Sequence, residues 1–168
     1  GPGRIAREQV EAEKARVYAP VKRSGGLEWK ELHAGIARAM QYYVSEFKTE
    51  PLFKMGLDAL ARLETEAVPR LFALDPHKLM RTLEDLSMLE YARIIIEASR
   101  ARKASSVPLN FQRIDCPEQD PAEWNKFLTI RLEDGRVELG ELPLDFWGDM
   151  KEQYEAHNRD YTGVYREK

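Results

Sequence analysis

The sequence predicts a mainly α-helical domain: an antiparallel three-helix bundle with a peripheral β-hairpin and an irregular C-terminal segment. Three stretches carry apolar residues at steps of three and four, the spacing of a helix face that packs against a core. One Asp-Gly pair, Asp134-Gly135, lies between two alternating segments, which is typical of a hairpin turn. Between the last helix and this hairpin, Pro108, Pro117 and Pro121 exclude a continuous helix.

The composition fits one globular domain. The chain has 168 residues, of which 43% are hydrophobic and 33% charged, and its formal net charge is -3. That length is sufficient to bury a core, whereas nucleic-acid binding would favour a clustered basic surface. No apolar run approaches the ~20 residues of a membrane-spanning helix. A single cysteine, Cys116, excludes an internal disulfide. We therefore expect a cytoplasmic protein with no membrane insertion and no nucleic-acid partner.

The order of these patterns predicts how the chain is divided. Residues 1–3, Gly-Pro-Gly, are interpreted as a cloning scar, which predicts that the chain is a piece of a longer protein. Residues 4–168 are interpreted as a single helical domain. Its parts are a helix bundle (26–103), an irregular crossing (104–126), the hairpin (127–141) and a C-terminal tail (142–168). A first helix over 5–18 has few apolar residues and is expected at the surface, and a short helix is expected around 146–157.

The bundle helices are predicted over 28–46, 52–68 and 76–103. The first carries the apolar stripe Trp29, Leu32, Ile36, Met40 and Tyr43, which fits a core face or a partner-binding groove. The third begins where Asp75 can cap it and Pro76 lies in the first turn. We expect this third helix to be central, with Leu86, Leu89 and Ile95 among the most buried residues. The run Ile94-Ile95-Ile96 is expected to be buried on more than one side.

The crossing and the helix end before it carry the most distinctive polar residues. Arg100, Arg102 and Lys103 lie in the last turn of the third helix, where cations favour the carbonyl end of the helix dipole. These side chains would cap the helix or bind an anion or an acidic neighbour. Arg113 and Asp115 are two residues apart, so in an extended segment they project to the same side. They would form an ion pair that pins the crossing to the bundle, or each would reach a different neighbour.

The sequence contains no complete catalytic, cofactor-binding or metal-binding set. His33, His77, His157 and Cys116 lie far apart and without metal-ligand spacing. No Gly-x-Gly-x-x-Gly motif follows a predicted strand, and no phosphate-binding Gly-x-x-x-x-Gly-Lys motif occurs. We therefore assign no catalytic, cofactor-binding or metal residue to this chain and expect it to be inactive by itself.

The crossing also carries a resemblance to a known family. Arg113-x-Asp115 is followed by Pro117, Asp120, Trp124 and Phe127, and it is preceded by Arg102-Lys103-Ala104-Ser105-Ser106. This pattern resembles the C-terminal helical domain of the succinate dehydrogenase, fumarate reductase and adenylylsulfate reductase flavoproteins. The resemblance covers roughly residues 10–140. It departs from the family where Ala104 replaces a Glu and Ser106 an Arg. The connection to Arg113 is also two residues longer than in the dicarboxylate enzymes and contains Pro108, which is closer to the adenylylsulfate reductase pattern.

The resemblance implies that the full-length protein is an FAD-dependent oxidoreductase. Its flavin would be bound by an upstream domain of the same polypeptide, and an iron-sulfur subunit would be a partner. Six residues become candidate interdomain contacts: Arg100, Arg102, Lys103, Arg113, Asp115 and Trp124. Arg113 in particular would face the flavin-bearing part or its substrate channel. The alternative is a free-standing helical module that docks a partner through exposed aromatic residues.

Overall fold

The structure is a computed structural model that describes residues 5–133 and 136–144, together with the single positions 152 and 156. Within this part the fold is mainly helical, as predicted. The helices are α1 (Arg7–Tyr18), α2 (Trp29–Tyr43), α3 (Glu50–Arg62) and α4 (Pro76–Ala101). The strands are β1 (Phe47–Lys48), β2 (Gln112–Arg113), β3 (Lys126–Glu133) and β4 (Arg136–Pro143). Apart from positions 152 and 156, the helix predicted around 146–157 lies outside the described residues.

Helices α2, α3 and α4 form the predicted bundle, and each contacts the other two. A Cβ on Gly35 of α2 would meet Leu63 just after α3, and one on Gly56 of α3 would meet Tyr43 at the end of α2. The chain direction therefore reverses between α2 and α3. Glu50 at the start of α3 contacts Arg100 at the end of α4, so α3 is antiparallel to α4 as well.

Local sequence signals explain where the helices begin. Thr49 accepts a hydrogen bond from the Leu52 amide (3.3 Å) and caps α3. Asp75 accepts one from the Lys78 amide (2.8 Å) and caps α4, with Pro76 next to it as predicted. The second helix was predicted to run to residue 68. It ends as an α-helix at Arg62 and continues through a wider turn, Leu63–Ala67, and a tighter one, Val68–Arg70, which contains Pro69.

The core lies between α2, α3 and α4. It is formed by Leu32, Ile36, Ala39, Phe53, Leu60, Leu71, Leu89, Ala92 and Ile96. Leu89 is buried as predicted, whereas Leu86 is only half-buried against this core and is not among the most buried residues. The prediction for Ile95 is wrong, because Ile94 and Ile95 are 41% and 48% exposed. Since α4 buries positions 85, 89, 92 and 96, the neighbouring isoleucines turn away from the core.

The remaining elements lie around this bundle. Helix α1 has no buried residue and packs at the surface, as predicted. Strands β3 and β4 form the predicted antiparallel hairpin, with Glu133 paired to Arg136, and β3 contacts α4. A short parallel pair of β1 and β2 was not predicted, and it joins the crossing to the segment before α3. Among the described residues, no helix is both long and apolar enough to cross a membrane.

Candidate functional site

Arg113 lies at the centre of the crossing and is 1% exposed. It belongs to β2, where it pairs with Lys48 of β1, while Gln112 pairs with Phe47. Successive side chains on a strand point to opposite faces, so Arg113 and Lys48 point inward and their neighbours outward. The Lys48 ammonium donates to the Ser45 carbonyl (2.7 Å), and burial lowers the pKa of this lysine.

The Arg113 guanidinium is bonded at both edges. Its Nη1 atom donates to the carbonyl oxygens of Ser99 (3.2 Å), Arg100 (3.2 Å) and Arg102 (3.0 Å), which are at the end of α4. Its Nε and Nη2 atoms donate to the two carboxylate oxygens of Asp115, each at 2.7 Å. Arg113 therefore caps the C-terminal end of α4 with a positive charge while it forms a bidentate ion pair.

One face of the same guanidinium lies over an aromatic ring. Its central carbon is 5.0 Å from the centroid of Phe53, a core residue of α3 that is fully buried. This contact is a cation–π interaction. It joins the charged site to the hydrophobic core, because Phe53 packs among the residues that hold the three helices together.

Asp115 connects Arg113 to the beginning of α3. Its Oδ2 atom accepts a hydrogen bond from the Glu50 amide (2.8 Å), the first residue of that helix. A carboxylate is favourable at this end, where helix amides are unpaired and the dipole is positive. The Arg113 guanidinium, supported by this amide, holds the pKa of the Asp115 carboxyl well below its usual range.

Glu50 binds two of the predicted cations. Its Oε1 atom accepts from Arg100 Nε at 2.6 Å, and its Oε2 atom accepts from Lys103 Nζ at 3.2 Å. Arg100, above all, lowers the pKa of Glu50. We call Glu50, Arg100, Lys103, Arg113 and Asp115 the clasp, because together they join α3, α4 and the crossing. Arg100 also pairs with Glu97 at 3.6 Å, so three cations face three carboxylates.

The crossing is folded around Ser105, which has no exposed surface. Its hydroxyl accepts from the Arg113 amide (2.8 Å) and lies 3.0 Å from the Cys116 carbonyl, to which it donates. Its backbone amide donates to Glu118, and its carbonyl accepts from Asp120. These bonds satisfy buried backbone groups of a segment that has little regular structure. Asp120 adopts a positive φ of 43°, as a short polar side chain permits.

Arg102 and Trp124 form a second group beside the clasp. The Arg102 side chain is 13% exposed and donates to Asp120 Oδ1 (3.3 Å) and to the Trp124 carbonyl (3.4 Å). The Trp124 ring has the Arg102 guanidinium at 5.8 Å and the Lys126 ammonium at 4.8 Å from its centroid. The group attaches the start of the hairpin to the end of α4 through two cation–π contacts.

The six candidate residues thus fall into two neighbouring groups. Arg100, Lys103, Arg113 and Asp115 meet in the clasp, and Arg102 meets Trp124. Arg113 is enclosed by its own domain and has almost no surface to offer another. Sequence reasoning missed Glu50, Phe53 and Ser105, which complete these contacts. A signal for Glu50 existed, since it follows the Thr49 cap in the first turn of a helix, but its partners are 50 residues or more away.

The arrangement supports attachment of chain segments and contains no reacting set. Among the described residues, no group of three or more His, Cys, Asp or Glu side chains could hold a metal ion. The two described sheets have two strands each, and their residues form no strand–helix–strand unit with a glycine-rich turn. Such a unit is what cradles a dinucleotide. The described residues therefore do not form a dinucleotide cradle of this kind and do not fit FAD.

Comparison with known proteins gives a family and a set of similar structures. Residues 33–161 match the family described as fumarate reductase flavoprotein C-term. No curated protein matches the chain significantly.

Three solved structures illustrate the likeness. The E. coli quinol fumarate reductase FrdA, carrying one mutation, is 25% identical, with a TM-score of 0.66 over 84% of this chain and 26% of that one. Adenylylsulfate reductase from Archaeoglobus fulgidus is 21% identical, with a TM-score of 0.76 over 83% and 25%. The Mycobacterium smegmatis Sdh1 structure with UQ1 is 20% identical, with a TM-score of 0.68 over 91% and 28%. The chain therefore spans about a quarter of the length of each of these proteins.

Proposed function

Because the chain belongs to the family of fumarate reductase flavoprotein C-terminal domains, we propose that it is the helical C-terminal domain of an FAD-dependent oxidoreductase. In this role it supports the flavin-bearing domain of the same polypeptide and contacts between subunits, and it does not catalyse a reaction alone. The family match over residues 33–161 is the observation that carries the proposal. It includes all three bundle helices from His33 onward, the crossing and the hairpin.

The clasp supports a positioning role for this domain. Together with Glu97, which pairs with Arg100, its charges neutralise one another, and its hydrogen bonds lead to helix ends and to the crossing. A site that acts on a substrate would instead leave a nucleophile, acid or base open to a cleft. We propose that the clasp fixes the shape of the crossing.

The same family membership also supports a proposal for the reaction of the full-length protein. FAD would supply the electron transfer, the substrate would be a small anion such as fumarate, succinate or adenylylsulfate, and an iron-sulfur protein would exchange electrons with the flavin. We also propose a cytoplasmic location. A divergent reductase with another substrate is the alternative within this class, because Ala104 and Ser106 replace residues that the family pattern contains.

The experiment is to purify the full-length protein, measure its flavin content, and assay turnover with fumarate, succinate and adenylylsulfate. Bound FAD with turnover of one of the three would support the proposal. Turnover of none would remove the substrate assignment, and absence of flavin would favour the free-standing interaction module. For the 168-residue chain, saturable FAD binding at micromolar concentration would contradict the role proposed here.

An Arg113→Ala variant of the full-length protein tests the clasp. We expect reduced flavin content or turnover, because the crossing would lose its attachment to α4. Arg113→Lys is the matched control, since it keeps the charge and loses the bidentate geometry. Unchanged flavin content and turnover in Arg113→Ala would confine this residue to stabilising its own domain.

A further inference from the structure

The tip of the crossing is an apolar turn on a rigid base. Ser106 and Phe111 exchange two backbone hydrogen bonds (2.7 and 2.9 Å), and the Asn110 amide donates to the Val107 carbonyl (3.0 Å). These bonds close the four residues 107–110 into a tight turn, in which Asn110 adopts a positive φ of 48°. Ser105 and Ser106 beneath it are buried. The turn is therefore held in one conformation by the residues below it.

The side chains at this tip are apolar and exposed. Val107 is 75% exposed and Leu109 is 66% exposed, with Pro108 between them. Phe47 of the adjoining strand β1 is 51% exposed and Ile114, just after β2, is 58% exposed, because the inward positions are taken by Lys48 and Arg113. Exposed apolar groups on a rigid support are a recurrent feature of contact sites.

The charged residues of the clasp, below this tip, are already engaged. Arg113 and Asp115 are bonded to each other and to the helix ends, and Arg100 and Lys103 are bonded to Glu50. Moving any of these side chains to another domain would break a contact within this one. The exposed side chains of Val107 and Leu109 can be buried against another domain without breaking such contacts. Their burial is favourable because it removes apolar surface from water.

We propose that the apolar turn, residues 107–110, docks into the flavin-bearing part of the same polypeptide, with Val107 and Leu109 as the inserted side chains. This inference rests on the proposed function and names the contact through which the domain would act. It assigns the contact to the apolar tip, while the clasp below it acts as the support.

The size of the patch favours a partner within the same polypeptide. A stable contact between separate molecules buries about 800 Å² on each partner, which one four-residue turn does not supply. A contact within one chain is smaller because the connection already holds the two parts at high effective concentration. The chain covers only about a quarter of each similar structure, so a full-length protein of that size has ample chain to receive the turn.

Thiol labelling compares the turn in the full-length protein and in the 168-residue chain. Leu109→Cys and, separately, Val107→Cys are introduced in a Cys116→Ser background, and each protein is treated with a maleimide reagent. Cys116 uses its backbone carbonyl in the crossing, so serine leaves that contact in place. The control is Glu66→Cys, an exposed position beyond the end of α3 that is far from the clasp. Circular dichroism checks that every variant is folded.

We expect labelling at positions 107 and 109 to be slowed about tenfold or more in the full-length protein relative to the 168-residue chain. Labelling at position 66 should change little. Equal rates at 107 and 109 in the two proteins, or equal slowing at 66, would overturn the proposal. Slow labelling in the 168-residue chain that becomes faster on dilution would assign the turn to a second copy and would also overturn it.

The flavin content of the same full-length samples distinguishes failure of the docking contact from failure of the proposed function. Bound flavin with unprotected positions 107 and 109 would reject the docking contact alone. A full-length protein without flavin would reject the proposed function.

Discussion

Arg113 and Asp115 form a bidentate ion pair that lies between the C-terminal end of α4 and the N-terminal end of α3. The guanidinium binds three carbonyl oxygens of one helix end, and the carboxylate binds the first amide of the other. Each charge therefore lies at the helix end whose dipole it complements. The pair stabilises both helix ends and holds the crossing between them.

Replacing Arg113 with Ala is expected to destabilise the domain strongly. Removal of one partner from a buried, hydrogen-bonded pair costs about 3–5 kcal/mol, because the other charge is left without compensation. Here Asp115 and three helix carbonyls would all lose their donor. A denaturant titration measures the loss. The free energy of unfolding of Arg113→Lys should lie between those of the unmutated protein and Arg113→Ala. A loss under ~1 kcal/mol in Arg113→Ala would show that the ion pair contributes little to stability.

The stability of the domain should decrease in acid. Because Arg113 lowers the pKa of Asp115 in the folded state, the folded carboxyl stays ionised at a pH where the unfolded one binds a proton. The stabilisation is present above the unfolded value of about 4 and is lost progressively as pH falls toward the lower folded value. Urea titrations across this range should show the decline. In Asp115→Asn the decline should be shallower but not absent, because the pKa of Glu50 is also lowered. If stability declines with pH in Asp115→Asn as steeply as in the unmutated protein, Asp115 is not a source of the acid sensitivity.

Leu89 and Ile95 provide a direct test of which face of α4 is buried. Leu89→Ala is expected to cost about 2–5 kcal/mol, because it leaves a cavity in the core. Ile95→Ala is its control, since that side chain is 48% exposed and its loss should cost under ~1 kcal/mol. Denaturant titration of both variants gives the comparison. Equal losses would contradict the orientation of α4.

Gly56 of α3 lies close to both of the other bundle helices. A Cβ there would lie 3.0 Å from the Tyr43 Cβ and 3.1 Å from the Ile96 Cδ1. Alanine would gain about 0.5–1 kcal/mol in helix propensity and lose about 1–3 kcal/mol through overpacking. We therefore expect Gly56→Ala to lower the melting temperature. A rise would show that Tyr43 and Ile96 can move aside at little cost.

Local patterns in the sequence predicted the parts of the fold that depend on neighbouring residues. The Asp75 cap, the three helices and the hairpin follow from signals that span a few positions. The Arg113–Asp115 pair was also accessible, because it depends only on two residues of an extended segment. The burial of Ile95 was predicted wrongly because three consecutive apolar residues do not indicate which of them faces the core. The stripe 85, 89, 92 and 96 would have indicated Ile96.

The candidate site was only partly predictable. Its cations were identified, but the carboxylate that binds Arg100 and Lys103 belongs to Glu50, which is about 50 residues away. Ser105 carries no sequence signal of its role, because its bonds exist only once the crossing has folded. The two-residue strands β1 and β2 are too short to show an alternating pattern. These features arise from tertiary contacts that no local pattern encodes.

The contact between the Glu50 amide and Asp115 also has a consequence for folding kinetics. These groups are 65 residues apart, so their contact requires closure of a long loop. Helices α3 and α4 can pack before that closure, because their connection is much shorter. The Asp115 contact should therefore form after the rate-limiting step, and Asp115→Ala should mainly accelerate unfolding while refolding keeps its rate. In cells, such a change would shorten the lifetime of the native domain without slowing its formation.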